Sequence, residues 1–119
     1  MSRALLIVDH GSRRAEAHAY LEWVAAQVRE RCEGLRVYIA HMELAPPSIP
    51  DAIAECAADG VTQLDVHPLF LVPGKHLTED IPKLVENAAR RHSGLRWRIT
   101  APIGSAPDLA DLVLATLQE

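Results

Sequence analysis

Hydrophobic residues along the chain fall into short aliphatic runs that are separated by longer amphipathic segments. Residues 4–8 form a continuous aliphatic run, which is typical of a strand that is buried on both faces. From Arg14 to Cys32, apolar residues recur at steps of three and four, so we predict an amphipathic helix there. Its predicted core-facing positions are Ala17, Leu21, Val24, Val28 and Cys32.

Three further strand–helix units follow the first. Their strands are predicted over Leu35 to Ala40, Val61 to Leu71 and Leu95 to Ala101. Their helices are predicted from Ser48 to a stop at Gly60, from Asp80 to His92, and from near Pro107 onwards. The residues expected to face the core are Ile49, Ile53, Cys56, Ala57, Ile81, Leu84, Val85, Ala88, Leu109, Leu112, Val113 and Leu117. We therefore expect a single doubly wound α/β domain over residues 1–119, with a four-stranded parallel sheet covered by helices on both faces.

The composition fits this class and excludes several others. Hydrophobic residues make up 49% of the chain and charged residues 24%, as in an ordinary globular domain. Twelve basic and sixteen acidic side chains give a net charge of −4, which argues against nucleic acid as a partner. The chain has neither the apolar run of roughly 20 residues that a membrane span needs nor a recognisable signal peptide at its start. Its two cysteines form no paired-thiol motif, which fits a reducing cytoplasm, so we expect a cytoplasmic protein. The two cysteines, Cys32 and Cys56, are expected to be buried packing thiols.

Polar and titratable residues collect where the predicted strands end. His10 follows the first strand, His41 and Glu43 follow the second, and His76 follows the third. Since ligands of open parallel sheets bind beyond the carboxyl ends of the strands, these side chains are candidates for one metal site. Each also has an ordinary alternative: the histidines as loop residues, and Glu43 as a cap of the following helix.

The remaining histidines and one turn have plainer interpretations. We expect His67 to be a hydrogen-bonded core histidine, and His18 and His92 to be solvated on helices. Asp80 has an ordinary place at the start of a helix. The turn at Gly11 could bind phosphate, but the sequence has no glycine-rich nucleotide motif, so a nucleotide site is weakly supported.

Three motifs and one further stretch, which together span most of the chain, resemble the sirohydrochlorin chelatases. They are residues 6–13 (LIVDHGSR), 41–49 (HMELAPPSI), 68–76 (PLFLVPGKH) with 80–82 (DIP), and 99–104 (ITAPIG). These small class II chelatases have a flavodoxin-like α/β fold and insert a divalent metal into the precursor ring of siroheme and cobalamin. The first two motifs are most similar to the plant-type, SirB-like ferrochelatases. The short CbiX-type cobaltochelatases more often carry glycine where this chain has Asp9.

The resemblance implies roles for particular residues. His10 and His76 would bind and deliver the metal ion, and Glu43 would accept the protons of the pyrrole nitrogens, with His41 as its partner. Ser12, Arg13, Arg14, His41 and Lys75 would bind the polyanionic ring, since arginine can hold a carboxylate through two hydrogen bonds.

The resemblance also implies the substrates and partners. The substrates would be sirohydrochlorin and a divalent metal, with Fe²⁺ favoured, Co²⁺ next and Ni²⁺ possible as the ion supplied. We expect no permanently bound cofactor and, because no cysteine follows Cys56, no iron–sulfur cluster. A homodimer is expected, because longer relatives fuse two such domains around one cleft. A non-catalytic metal chaperone or tetrapyrrole carrier on the same fold is the main alternative, and a nucleotide-binding module is the weaker one.

Overall fold

The computed structural model describes residues 2–72 and 74–117, apart from the side chains of residues 75, 76 and 78. Its strands are β1 (Arg3–Asp9), β2 (Arg36–His41), β3 (Gln63–Pro68) and β4 (Arg96–Ile99). Its helices are α1 (Ala15–Arg31), α2 (Ile49–Ala58), α3 (Lys75–Ala89) and α4 (Leu109–Ala115), with a short 3₁₀ turn at Ile103–Ser105 before α4. In the part of the chain described, no helix is both long enough and apolar enough to cross a membrane.

All strand pairs of the sheet are parallel, in the order β2-β1-β3-β4, which confirms the predicted fold class. Two apolar clusters cover its two faces. On one face, Leu21 and Ala25 of α1 pack with side chains of β1 and β2. On the other, buried residues of α2 and α3 pack against the alternate residues of β1 and β3. The apolar strands are therefore covered on both sides, as their continuous hydrophobic runs indicated.

Helix α3 begins earlier than predicted, at Lys75 rather than Asp80. With this earlier start, Pro82 lies inside the helix and not in its first turn. Leu77 lies four residues before the buried Ile81, on the same face of the helix. The earlier start of α3 therefore adds one more apolar residue to its core-facing stripe. As a result, the loop between β3 and α3 is short, and residues 75 and 76 belong to the first turn of a helix.

The two cysteines differ, and the prediction for one of them is wrong. Cys56 is fully buried on α2, and this burial raises the pKa of its thiol to about 12, so it is an inert packing residue. Cys32 is exposed. It follows the last residue of α1 with φ −142°, so it has left the helical geometry that would have turned it towards the core.

The prediction that α4 buries its apolar face is also wrong for the described residues. Leu112, Val113, Leu114 and Leu117 are all more than half exposed. Tyr20 and Trp23 of α1 are exposed as well, with ring centroids 5.8 Å apart. Between α1 and α4 runs a groove of about 400 Å³, which is lined by residues that include Trp23, Val28, Ile103 and Leu112. Helical spacing thus marked an apolar face, but this chain alone does not cover it.

A buried carboxylate ties three strands together at the opposite edge of the sheet from the candidate site. Asp65 of β3 accepts hydrogen bonds from Arg98 of β4 (2.7 Å) and Arg3 of β1 (2.8 Å). Only 8% of the Asp65 side chain is exposed, whereas both arginines are largely in solvent. The hydrogen bond from Arg98, followed by that from Arg3, lowers the pKa of the Asp65 carboxyl.

We expect Asp65→Asn to destabilise the protein by about 1–2 kcal/mol at pH 7, because it removes two charge-assisted hydrogen bonds. A carboxyl whose pKa is lowered in the folded state stabilises the fold above its unfolded pKa of about 3.9, and this contribution is lost as the pH falls through the folded value. The difference in unfolding free energy between the two proteins should therefore shrink below pH 4. Urea denaturation across this pH range measures it. Glu86→Gln, which breaks only the exposed pair with Arg90, is the matched control and should cost under about 0.5 kcal/mol.

Candidate functional site

The candidate site begins where β1 and β2 end, and the segments that follow these two strands stay hydrogen-bonded to each other. The amide of Met42 donates to the carbonyl of Asp9 (2.9 Å), and the amide of Glu43 donates to the carbonyl of His10 (3.1 Å). The parallel register Asp9↔His41 therefore continues into the two loops. This continuation brings the motif residues of the two loops side by side.

Gly11 allows the two loops to approach this closely. Its φ is +100°, a conformation that residues with a side chain rarely adopt, and a Cβ at this position would overlap the carbonyl oxygen of Glu43. The backbone at Glu43, in the motif of residues 41–49, thus explains why the motif of residues 6–13 has a glycine at position 11.

His10 and Glu43 form a pair at the open edge of the sheet. The His10 Nε2 atom lies 3.3 Å from the Glu43 Oε1 atom. The two side chains are 49% and 53% exposed, so both remain accessible to a ligand from solvent. An imidazole beside a carboxylate can present a cation and accept a proton at the same place.

Directly next to this pair, three side chains form a hydrogen-bonded array that runs into the protein. Asp9 Oδ1 lies 2.6 Å from His41 Nδ1, and His41 Nε2 lies 2.9 Å from His18 Nδ1 on α1. His41 is only 1% exposed, while Asp9 and His18 are partly exposed at the two ends of the array. The structure thus joins β1, β2 and α1 through one buried imidazole.

The array corrects two predictions. His41 was expected to bind substrate, but it is buried and both of its ring nitrogens are already engaged, so it has no free atom to offer a ligand. His18 was expected to be solvated, but it is the outer member of the array. The sequence did contain a signal for His18, since it lies three residues before the buried Leu21 and seven before the buried Ala25, on the core-facing stripe of α1. His92 lies half-buried in the turn after α3.

An open cleft of about 450 Å³ adjoins the outer end of the array. It lies between the loop after β1 and the loop after β2, and its lining residues are Ser12, Arg13, Arg14, Ala15, His18, Leu44, Ala45 and Pro46. The Ser12 hydroxyl accepts a hydrogen bond from the amide of Arg14 (3.1 Å), which shapes the turn that carries both arginines. Leu44, at φ +74°, takes a left-handed conformation that follows directly on Glu43.

A smaller, apolar pocket of about 150 Å³ lies beyond the ends of β3 and β4. Phe70, Leu77, Ile81 and Ile99 are among its lining residues. Near it, the His67 ring nitrogen Nδ1 lies 2.8 Å from the hydroxyl of Thr100, and burial lowers the pKa of this imidazole. His67 is therefore a hydrogen-bonded, neutral and half-buried histidine, close to what the sequence indicated.

Two predicted site residues fall on side chains outside the described part of the structure. Lys75 and His76 lie in the first turn of α3 by their backbone, at the same edge of the sheet. The pairing of His10 with His76 at a metal ion stays a prediction. Among the described residues, no three His, Cys, Asp or Glu side chains cluster in a way that could hold a metal ion.

Comparison with known proteins gives a consistent result along the whole chain. A model of the CbiX family matches residues 4–119. The chain is 44% identical over 114 residues to the chloroplastic sirohydrochlorin ferrochelatase of Arabidopsis thaliana, covering 96% of this chain and 51% of the plant protein. It is 31% identical over 124 residues to the sirohydrochlorin cobaltochelatase of Methanothermobacter thermautotrophicus, covering 92% and 86% of the two chains.

A solved structure shares the fold. The sirohydrochlorin chelatase SirB of Bacillus subtilis subspecies spizizenii, in complex with cobalt, superposes with a TM-score of 0.86 at 28% identity. The superposition covers 98% of this chain and 50% of the SirB chain. This chain therefore spans about half the length of the plant and Bacillus proteins, but most of the length of the archaeal one.

We expect Gly11→Ala to destabilise the protein by about 2 kcal/mol more than Gly60→Ala, because the added methyl group must displace the Glu43 backbone. Gly60 is the matched control, since its φ of +84° is similar but no atom lies within 4 Å of a Cβ built there. Both variants carry the strain of a positive φ, about 1 kcal/mol, and only Gly11→Ala adds the overlap. Chemical denaturation of the two proteins gives the comparison, and equal losses would show that the loops are not closely packed.

Proposed function

Because the chain belongs to the CbiX family, which its match over residues 4–119 establishes, we propose that it is a sirohydrochlorin chelatase. In this reaction a divalent metal ion replaces the two pyrrole protons of the tetrapyrrole ring. The observation that supports the proposal is the His10–Glu43 pair, in which an imidazole, a side chain suited to divalent metals, lies 3.3 Å from a carboxylate at an open edge of the sheet. An arginine-lined cleft is built from the same two loops.

In the proposed mechanism, His10 and His76 bind the incoming metal ion as substrate. Neutral imidazole is a good ligand for Fe²⁺, Co²⁺ and Ni²⁺. Two imidazoles leave most coordination positions open, so the ion can pass to the four nitrogens of the ring. A complete cage of thiolates or histidines would retain the ion instead.

Glu43 is the proposed proton acceptor. Each pyrrole N–H proton passes to a carboxylate oxygen of Glu43 as the metal–nitrogen bond forms, and the exposed carboxyl then returns the proton to water. The negative charge of Glu43 also offsets the charge of the cation while it is held next to His10.

Binding of the ring is assigned to basic residues on the loops. Sirohydrochlorin carries many carboxylates, whereas the chain has a net charge of −4, so attraction must come from a local concentration of positive charge. Arg13 and Arg14, with the hydroxyl of Ser12, line the cleft beside the metal-binding pair. Lys75 is proposed to add a further charge from the start of α3. His41 supports these residues from within the protein instead of contacting the ring.

Iron is the proposed metal for siroheme synthesis, with cobalt for the cobalamin route as the second choice. The support for iron is the 44% identity with the plant ferrochelatase, compared with 31% for the archaeal cobaltochelatase. We also place the protein in the cytoplasm. Both cysteines are free thiols, and the exposed Cys32 fits a reducing compartment.

The proposed active form is a homodimer. The chain spans 51% of the plant relative and 50% of the Bacillus chelatase, which fits one half of a cleft built from two such units. Apolar side chains of α4 and the rings of Tyr20 and Trp23 are exposed to solvent in the single chain. We propose that a second copy of the chain packs against this surface.

To test the function, the protein is incubated anaerobically with sirohydrochlorin and Fe²⁺ or Co²⁺, and metal insertion is followed by the visible spectrum of the ring. We expect many turnovers per protein molecule, and a rate that falls at least about a hundredfold in His10→Ala and His76→Ala because each loses a metal ligand. His92→Ala, away from the site, should keep the wild-type rate. Circular dichroism and thermal melting establish that each variant is folded.

Two outcomes would contradict the proposal in different ways. A single spectral shift in proportion to the protein, with no further turnover, would identify a tetrapyrrole carrier and remove the catalytic roles of His10, His76 and Glu43. Wild-type rates in folded His10→Ala and His76→Ala proteins would leave the activity but overturn the assignment of the metal ligands.

For the dimer, we expect sedimentation velocity to give twice the 13.1 kDa mass of one chain. Val113→Asp combined with Leu117→Asp should shift this to a monomer, because the changes place charges in the exposed apolar surface formed by α4 and the turn that follows it. Asp111→Asn on the same helix is the control and should remain dimeric. A wild-type monomer at all concentrations, or a double variant that stays dimeric, would rule out this interface.

A further inference from the structure

His18 lies on α1, outside the motifs that identify the family, and yet it contacts the buried imidazole of the site. Its Nδ1 atom is 2.9 Å from Nε2 of His41, which is itself 2.6 Å from the Asp9 carboxylate. The two imidazole rings are tilted by 48° with centroids 5.1 Å apart. Because each hydrogen bond must have one donor, this geometry also determines which ring nitrogens of His18 and His41 carry a proton.

The direction of the hydrogen bonds follows from the chemistry of Asp9. An ionised carboxylate only accepts, so the Nδ1 atom of His41 must carry the proton. Neutral His41 then has an unprotonated Nε2 atom, which accepts from a proton on Nδ1 of His18. The array therefore leaves His18 with its lone pair on Nε2, the ring atom that is not engaged with His41.

The free nitrogen of His18 belongs to a residue that lines the arginine-containing cleft. The charged groups around it are Asp9 behind His41, Glu22 on the same helix at 3.7 Å from Nε2, and Arg13 and Arg14 on the cleft wall. The loop after β2 contributes only the uncharged Leu44, Ala45 and Pro46. The carboxylate of Glu22 lies on the helix side of Nε2, and the two arginines lie on the cleft wall, where an anion would find positive charge.

We propose that His18 is a further substrate-binding residue, which is protonated on Nε2 when a carboxylate arm of the tetrapyrrole binds between it and the two arginines. The inference rests on the proposed function, since the substrate supplies the carboxylate. Asp9 and His41 are positioning residues, because they set the tautomer of His18 without touching the ligand. Binding then takes up one proton from solvent, which resides on His18 and is released when the carboxylate leaves.

The test compares His18→Asn with the wild-type protein. The amide of asparagine can still donate a hydrogen bond to His41, but it cannot be protonated, so this variant keeps the structural contact and removes the charge. Binding of metal-free sirohydrochlorin is measured by fluorescence or absorbance from pH 6 to pH 8.5, where the carboxylates of the ring stay ionised. His92→Asn controls for the loss of a histidine elsewhere.

We expect His18→Asn to bind the ring roughly tenfold more weakly than wild type at pH 6, as for the loss of one charge-assisted hydrogen bond. The ratio of the two Kd values should fall towards one at pH 8.5, because an imidazole is ordinarily neutral at that pH and the charge that distinguishes the two proteins is then absent. His92→Asn should match the wild type throughout, and His18→Asn should melt close to the wild-type temperature.

A Kd ratio that does not change with pH would overturn the proposal while leaving the chelatase function intact. Failure of the wild type to bind sirohydrochlorin at any pH would instead overturn the function and the inference together. ¹⁵N NMR of the imidazoles gives an independent check without substrate. The array requires both His18 and His41 to carry their proton on Nδ1 in the neutral form, and an Nε2–H tautomer at His18 would contradict it.

Discussion

The close approach of the Gly11 backbone to the carbonyl of Glu43 is the constraint on which the candidate site depends. It is possible only without a side chain at Gly11, and it lets the parallel pairing of β1 and β2 continue past the ends of the strands. With the register held in this way, His10 stands beside Glu43. Two loops that would otherwise be free to separate are thereby kept at a distance at which an imidazole and a carboxylate can act on one ion.

The same register gives this edge of the sheet two polar groups of different character. Asp9 and His41 are paired across the strands and turn towards α1, where they meet His18. His10 directly follows Asp9 and Glu43 lies two residues after His41, and both side chains are about half exposed. Side chains alternate along an extended chain, so His10 points away from the side on which Asp9 lies. Glu43 lies past the end of β2, in the loop, and a buried array can therefore lie behind an exposed pair. Both ring nitrogens of His41, the buried member of the array, are hydrogen-bonded, which is the condition for a polar group to lie in a core without destabilising it.

Much of the fold could be predicted, because its causes are local. Aliphatic runs, helical spacing and the Ser48 cap, which the structure confirms, identify the elements, and their alternation implies the parallel sheet. The errors concern information that the periodicity of the sequence does not carry. His41 was placed on the rim by its position after a strand, but its burial depends on a partner from α1. Helical spacing shows that α4 has an apolar face, but it does not show whether another element packs against that face. The exposure of α4 therefore could not be predicted from the spacing.

In the proposed function, positive charge and metal coordination are provided by different residues. The chain is acidic overall, yet the cleft gathers Arg13, Arg14 and His18 on two adjoining elements, so positive charge is concentrated there locally. Coordination by two imidazoles does not select iron over cobalt, since affinity for both follows the general order of divalent metals. Ferrochelatases and cobaltochelatases among the relatives can therefore share one arrangement. What the structure supplies at this place is a carboxylate 3.3 Å from an imidazole, and the backbone contact at Gly11 holds the two loops at that distance.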